Sequence, residues 1–126
     1  MNSAKTVAAG SEKAVFNSVR ATYPGGVSIN KTGYVNADGI IPAGTLIGRP
    51  DPTTGLSKVV VITPGTPDTY DVEPLGLLYK TIKLTDDFPF GGVVTDGDVK
   101  EHCLPDAEKA GAAGIHKTIP TLIMSI

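Results

Sequence analysis

The stretch that decides the fold is residues 34–48, which read Tyr34-Val-Asn-Ala-Asp-Gly-Ile-Ile-Pro-Ala-Gly-Thr-Leu-Ile-Gly48. Asp38-Gly39 is a turn signal, because both residues tolerate the left-handed backbone of tight turns. Ile40-Ile41 is β-branched and favours a strand. Pro42 has no amide hydrogen, so the chain there must bend or lie at a sheet edge. We therefore predict a turn, a short strand, a corner and a second short strand that begins at Thr45.

The composition around this stretch is typical of many short strands and turns. The 126 residues include 15 glycines and 10 prolines, and only 19% of them are charged. Such frequent breakers favour short strands over long helices. The apolar fraction of 40% suffices for a packed core, and the length predicts a single domain.

Charge and cysteine content exclude several classes of function. The net charge is −2 and the basic residues are scattered, so no nucleic-acid partner is expected. The single cysteine, Cys103, excludes an internal disulfide and a multi-cysteine metal site. Residues 1–10 lack an apolar core of signal-peptide length, and Val59–Ile62 is too short to span a bilayer. We expect no membrane association and no secretion by a standard signal.

The remaining chain shows further strand patterns and one helix pattern. We predict strands over residues 56–62, 72–79, 81–84, 93–95 and 118–126. Gly76 lies inside the second of these and indicates a bulge or a close backbone crossing. Asp96-Gly97 predicts a hairpin turn. The helix spans Leu104 to Ala110, with Pro105 at its first position and Gly111 and Gly114 as its stop.

Tyr23-Pro24-Gly25-Gly26 predicts the boundary between an N-terminal arm, residues 1–22, and a body, residues 23–126. The sequence allows three interpretations of the arm: a frayed terminus, a short helix over residues 11–20, or a segment that becomes ordered on a partner. In the third interpretation, the anchors would be Val15 and Phe16.

No residue pattern predicts catalysis, a cofactor or a metal. His102 and Cys103 are adjacent, so on an extended chain they point to opposite faces, and we interpret Cys103 as a small buried hydrophobe. Asp96, Asp98 and Glu101 do not match calcium spacing and are interpreted as a solvated turn. The glycine pairs near residues 91 and 111 lack the residues of a phosphate loop. We therefore expect a structural or binding protein rather than an enzyme.

Three blocks in order resemble the head decoration (capsid-stabilising) proteins of tailed phages, the family that includes the decoration protein of phage lambda. The blocks are Asp38-Gly-Ile-Ile-Pro-Ala-Gly-Thr45, Pro74-Leu-Gly-Leu-Leu-Tyr79, and a closing block with Phe90-Gly-Gly-Val-Val94, Val99-Lys-Glu-His-Cys-Leu-Pro105, a short Ala-rich helix and an apolar final strand. The resemblance covers roughly residues 34–126. The Pro-rich loops 49–55 and 63–69 have no counterpart that we can map.

The resemblance implies a mainly β fold with one or two short helices: a β-clip-like or small β-sandwich-like body with an extended N-terminal arm. It implies a homotrimer on the outer surface of the mature head, made in the host cytoplasm, with the major capsid protein as partner. The arm would pair with capsid strands. Within the arm, position and composition suggest four residues as the capsid-binding site: Val15, Phe16, Val19 and Arg20.

Two other functions remain open from the sequence. The Pro-Ala-Gly-Thr corner also resembles SAF-type β-clip modules, which implies a small-ligand or glycan site. Its cleft would be formed by tyrosines, namely Tyr23, Tyr34, Tyr70 and Tyr79. The third hypothesis is another phage structural subunit, such as a head-fibre base or a tail component.

Overall fold

A computed structural model describes residues 15–85 and 88–125, and this part of the chain is mainly β. Two short helices, α1 (Asp106–Ala110) and α2 (Ala112–Thr118), follow a 3-10 turn at Glu101–Cys103. The strands are β1 Phe16–Thr22, β2 Val27–Ile29, β3 Ile40–Ile41, β4 Leu46–Gly48, β5 Leu56–Ser57, β6 Ile62–Thr63, β7 Thr69–Tyr70, β8 Pro74–Leu78, β9 Ile82–Lys83, β10 Phe90–Gly91, β11 Val93–Lys100 and β12 Leu122–Ser125. The predicted mainly β body with short helices is confirmed.

The long strand β11 is the centre of the main sheet. The strand order is β1-β11-β8-β4, and β12 runs parallel along the second half of β11. The pairs β1–β11, β11–β8 and β8–β4 are antiparallel. Three small sheets complete the described structure, with strand orders β10-β2-β5, β3-β9 and β6-β7. The main sheet therefore joins the two ends of the described chain.

Both faces of the main sheet are buried. Successive residues of β4, β8 and β11 belong alternately to two hydrophobic clusters, as the side-chain alternation of a strand requires; these pairs are Leu46 and Ile47, Leu77 and Leu78, and Val94 and Val93. The first cluster is completed by residues on and beside the helices, such as Leu104 and Ile115. The second is completed by β2 and β3, through residues such as Ile29 and Ile41. The helices and the β6–β7 hairpin thus lie on one face of the main sheet, and the small sheets that contain β2 and β3 lie on the other.

The corner at residues 38–48 forms as predicted. Gly39 and Gly44 have φ angles of 70° and 89°, which glycine adopts without steric cost. The Thr45 N–H donates to the Pro42 carbonyl over 3.2 Å, and the Thr45 hydroxyl donates to the same oxygen over 2.7 Å. These bonds close the turn between β3 and β4.

Gly76 marks a close backbone crossing, as predicted. A Cβ at this position would lie 2.2 Å from the Val94 carbonyl oxygen and 2.9 Å from a methyl of Val93. Every residue of β8 is buried. The glycine therefore lets β8 and β11 approach each other at the centre of the sheet.

The predicted hairpin turn at Asp96-Gly97 is wrong, because β11 continues through it from Val93 to Lys100. Partners on both sides of β11 hold this segment extended: β1 along one edge, and β8 and then β12 along the other. Gly97 instead allows β1 to lie close to β11, since a Cβ at this position would lie 2.6 Å from the Ser18 carbonyl oxygen. The local turn preference is outweighed by strand pairing.

Three other predicted boundaries also change. The predicted strand over residues 118–126 begins only at Leu122, because α2 continues to Thr118. The predicted strand over residues 56–62 is divided into β5 and β6, because residues 58–60 bond to β4: the Val60 N–H donates to the Leu46 carbonyl over 2.9 Å. Gly114 does not stop the helix but lies inside α2. The Pro-rich segment predicted as a loop over residues 63–69 connects β6 and β7, and its end residues Thr63 and Thr69 belong to these two antiparallel strands.

The predicted arm boundary after residue 22 is corrected. Residues 16–22 form β1 and pair with β11, so this segment is part of the body, and a helix over residues 16–20 is excluded. Pairing with a long central strand outweighs the weak local signals of this polar segment. Residues 1–14 lie outside the described residues.

Candidate functional site

Three of the four predicted capsid-binding residues, Phe16, Val19 and Arg20, lie on β1, an edge strand of the main sheet, and Val15 directly precedes it. β1 is antiparallel to β11, with Phe16 opposite Val99 and Val19 opposite Gly97. Among the described residues, β11 is the one strand paired with β1. The outer edge of β1 therefore presents main-chain groups to which a further strand could bond.

Val15 is an internal anchor rather than a contact for a partner. Its side chain is 4% exposed and belongs to the first hydrophobic cluster. A Cβ added to Gly44 would lie 3.1 Å from Val15 Cγ1 and 3.0 Å from Leu104, so the corner packs directly beneath it. The Val15 carbonyl accepts a 2.7 Å hydrogen bond from the Lys100 N–H. The prediction that Val15 contacts the capsid is corrected, because its side chain fills the core.

Phe16 forms an aromatic pair beside this anchor. Its ring meets the Tyr79 ring edge-on, with centroids 5.9 Å apart and an interplanar angle of 74°. The Lys80 ammonium lies 5.7 Å from the Tyr79 centroid, within cation–π range. Phe16 is half-buried, whereas Tyr79 is exposed. The pair gives the start of β1 an apolar surface with a cationic rim.

Arg20 is held by the two aspartates of β11. Its Nε and Nη1 donate to Asp96 Oδ1 and Asp98 Oδ1 over 2.8 and 3.2 Å, and the Asp96 hydrogen bond raises the pKa of Arg20. Ser18 Oγ also donates to Asp98 Oδ2 over 3.2 Å. The carboxylates interpreted from the sequence as a solvated turn are thus cross-strand partners of β1. Val19 is half-buried against the first cluster.

The register of β1 on β11 is irregular. It shifts between Phe16 and Ser18, between Val19 and Ala21, and between Ala21 and Thr22. Such bulges twist an edge strand, and together with a charged side chain they discourage unspecific pairing of edges. A partner strand must therefore match an irregular edge.

Glu108 is a buried residue with a structural role that the sequence did not predict. It is 4% exposed, and its Oε2 accepts the Leu46 N–H over 3.0 Å, so α1 is bonded to the first residue of β4. Burial raises the pKa of the Glu108 carboxyl, although the hydrogen bonds from backbone N–H groups oppose this effect. A signal was present: Glu108 lies four residues from both Leu104 and Ala112, which are buried, and this spacing puts it on their face of a helix.

The residues considered for chemistry do not form a reactive centre. Cys103 is half-buried against the first cluster rather than fully buried, and His102 is exposed. His116 Nδ1 lies 2.8 Å from the Leu122 carbonyl oxygen. Within residues 15–85 and 88–125, no three His, Cys, Asp or Glu side chains are placed to hold a metal ion. No helix in the described parts of the chain is long and apolar enough to cross a membrane.

The four tyrosines do not share a cleft. Tyr23 and Tyr34 line separate depressions and pack against the second cluster. Tyr70 packs against the first cluster, and Tyr79 pairs with Phe16. A single tyrosine-lined pocket is therefore not formed.

Comparisons of the chain with protein-family models, with curated proteins and with solved structures found no match.

Proposed function

We propose that the chain is a structural virion protein that binds the outer surface of a mature phage head and stabilises its lattice. The observation that carries the proposal is the order of the three blocks that resemble head decoration proteins. In the fold, these blocks provide the corner, the crossing strand β8, and β11 with the helices and β12. The first block contacts the second through the Gly44 N–H, which donates to Leu78 O over 2.8 Å. The second contacts the third through the pairing of β8 with β11, with Leu77 opposite Val94 and Leu78 opposite Val93. A resemblance spread along the chain thus corresponds to one packed unit.

The capsid contact is assigned to residues 1–14 together with the outer edge of β1. The segment joins the body at Val15, beside the exposed Arg20 edge and the Phe16–Tyr79 pair. Main-chain hydrogen bonds from a capsid strand would supply affinity, and Phe16 and Val19 would supply apolar contact. Val15 holds the base of this segment in the core.

Self-association as a trimer would cover apolar surface that the single chain exposes. Phe88 and Phe90 are 59% and 60% exposed, and Val61 is 58% exposed. Phe88 and Phe90 are two residues apart in the chain, and such a pair of exposed aromatic rings is a candidate contact for a second subunit. Three subunits that engage three capsid neighbours together would gain avidity without any new type of contact.

The test is co-sedimentation of the full chain with expanded heads of the phage that encodes it. We expect saturable binding to expanded heads, with unexpanded proheads as the control, and loss of most binding when residues 1–14 are removed. Light scattering on both proteins would show whether the shortened chain keeps the same mass. Absence of binding to expanded heads would overturn the proposal, and binding unchanged by the truncation would overturn the role of residues 1–14.

A further inference from the structure

Two clefts on the surface meet at one ion pair. The Arg49 N–H and Nε donate to the Glu73 carbonyl and Oε2 over 2.9 and 2.5 Å. One cleft, the loop cleft, has a volume of about 550 Å³, within the range of about 300–1,000 Å³ that is typical of ligand sites, and is lined mostly by residues of the Pro-rich segment 49–58. The other, the threonine cleft, has a volume of about 420 Å³ and is lined by Tyr23 and several threonines. Arg49 and Glu73 line both clefts, so the two form a continuous surface.

The Pro-rich loop of the first cleft is internally fixed. Thr53 N–H donates to Asp51 Oδ1 over 2.7 Å, and Gly55 N–H donates to the Asp51 carbonyl over 2.7 Å. Leu56 N–H donates to Thr54 Oγ1 over 3.2 Å. Prolines at positions 50 and 52 restrict the same segment further. A loop that is ordered beforehand loses little entropy when it binds a ligand.

Ser57 provides an independent pointer to a ligand. It lines the loop cleft, is 1% exposed, and its hydroxyl has no hydrogen-bond partner among the described residues. Buried polar groups nearly always have partners, so an unpartnered hydroxyl at a cleft is exceptional. A ligand hydroxyl that enters the cleft would supply the missing partner.

The polar groups of the surface select a neutral ligand. Arg49 is paired with Glu73, and Lys58, which also lines the loop cleft, is paired with Asp71, so both cations are already neutralised. Besides the Asp51 carboxylate, which accepts the Thr53 N–H, the two clefts present hydroxyl and amide groups beside the flat apolar faces of prolines and Tyr23. These groups belong to Asn30, Thr54, Ser57, Thr22, Thr95, Thr118 and Thr121. Alternating hydroxyls and C–H faces are the chemistry of a carbohydrate.

We propose that this surface binds a neutral oligosaccharide that lies across the Arg49–Glu73 pair. The charged pair donates and accepts hydrogen bonds at the centre, Ser57 contacts the sugar in the loop cleft, and Tyr23 contacts the sugar in the threonine cleft. The Pro-rich loop has no role in the proposed capsid binding. Sugar binding at this surface therefore does not depend on capsid binding.

The experiment measures binding of the full chain to maltohexaose and to a hexamer of N-acetylglucosamine by saturation-transfer NMR and calorimetry. We expect at least one of them to bind with a dissociation constant of about 1 mM or lower. Arg49→Ala should weaken that binding about tenfold. Arg20→Ala is the matched control, because Arg20 is also a half-exposed arginine in an ion pair but lies on β1. Its binding should equal that of the unaltered chain.

Ser57→Ala separates binding from folding. Because the hydroxyl has no partner, its removal should leave the midpoint of thermal unfolding unchanged or raised, while sugar binding weakens. Failure of both neutral hexasaccharides to bind would overturn the proposal, as would equal binding by the Arg49→Ala variant. Tighter binding of a heparin hexasaccharide, the anionic probe, would overturn the assignment to a neutral ligand.

Discussion

The corner at residues 38–48 and the strand β1 at residues 16–22 are specified in different ways. In the corner, each residue type matches its own backbone: glycines occupy the left-handed positions, and Thr45 closes the turn on Pro42 with two bonds. β1 has no comparable local signal, and its position depends on β11: Val19 pairs with Gly97, which lies 78 residues later in the chain. One region is determined locally and the other by a distant partner.

The two regions also differ in how much freedom they retain. The corner is enclosed by Val15, by Leu104 and by the Glu108 carboxylate, and β8 crosses beside it. β1 has a neighbour on one edge, with three register shifts and exposed polar side chains. The enclosed region should tolerate almost no change in shape, whereas the edge strand should adjust.

The largest expected effect is at the crossing of β8 and β11. Gly76→Ala places a Cβ 2.2 Å from the Val94 carbonyl oxygen, and neither inner strand can move away because both faces of the sheet are packed. We expect a loss of about 3 kcal/mol or more in the free energy of unfolding. Denaturant titration measures it, and Gly92→Ala is the control, since its Cβ would meet only Tyr79 at 3.8 Å.

Gly97→Ala produces the same kind of steric clash, but against the edge strand β1 rather than between two inner strands. Its Cβ would also meet a backbone oxygen, that of Ser18, at 2.6 Å, but Ser18 belongs to the edge strand. β1 can shift outward, so the expected loss is about 1–2 kcal/mol, below that of Gly76→Ala. Equal losses for the two variants would show that β1 is held as rigidly as the inner strands.

Val15 tests whether the start of β1 belongs to the body. Val15→Ala removes two methyl groups from the first cluster beside Gly44, and we expect a loss of about 2 kcal/mol from apolar transfer and the remaining cavity. Val35→Ala is the control, because Val35 is 89% exposed and its truncation should change stability by less than about 0.5 kcal/mol. If the two variants were equally stable, residue 15 would belong to an arm after all.

The sequence predicted the fold well wherever residue type restricts the backbone directly. The corner, the crossing at Gly76 and the helix that starts after Pro105 all depend on glycine or proline geometry. The prediction was wrong where long-range strand pairing determines the backbone conformation. Asp96-Gly97 has a strong hairpin preference, yet neighbouring strands on both sides keep it extended. Local preference of about 1 kcal/mol does not outweigh the bonds of a central strand.

The candidate site was predicted only in part, for the same reason. The segment around Val15 and Arg20 was singled out, but the sequence could not show that Val15 faces the core or that Arg20 pairs with Asp96. Both facts depend on the β1–β11 register. Glu108 was missed because an acidic residue near a helix start is usually explained by the helix dipole, and its burial appears only when α1 meets β4.

The smallest expected effect concerns pH and the Glu108 carboxylate that joins α1 to the corner. Because burial raises the pKa of Glu108, the folded chain holds a proton at pH values where the unfolded chain has released it. The free energy of unfolding contributed by this group should therefore fall as pH rises from the ordinary carboxyl pKa through the raised one, and stay lower above it. Urea titrations across that range would show the slope.

Glu108→Gln should remove this slope, since the amide oxygen can still accept the Leu46 N–H but carries no titrating proton. Asp71 provides the opposite case. Partial burial raises its pKa, but the hydrogen bonds from Lys58 and the Val61 N–H outweigh this and lower it, so its contribution is lost as pH falls. Asp71→Asn should consequently remove stability at neutral pH and leave the Glu108 slope in place. A slope that survives Glu108→Gln would mean that the carboxylate at the corner is solvated, and that the enclosed region is looser than its contacts indicate.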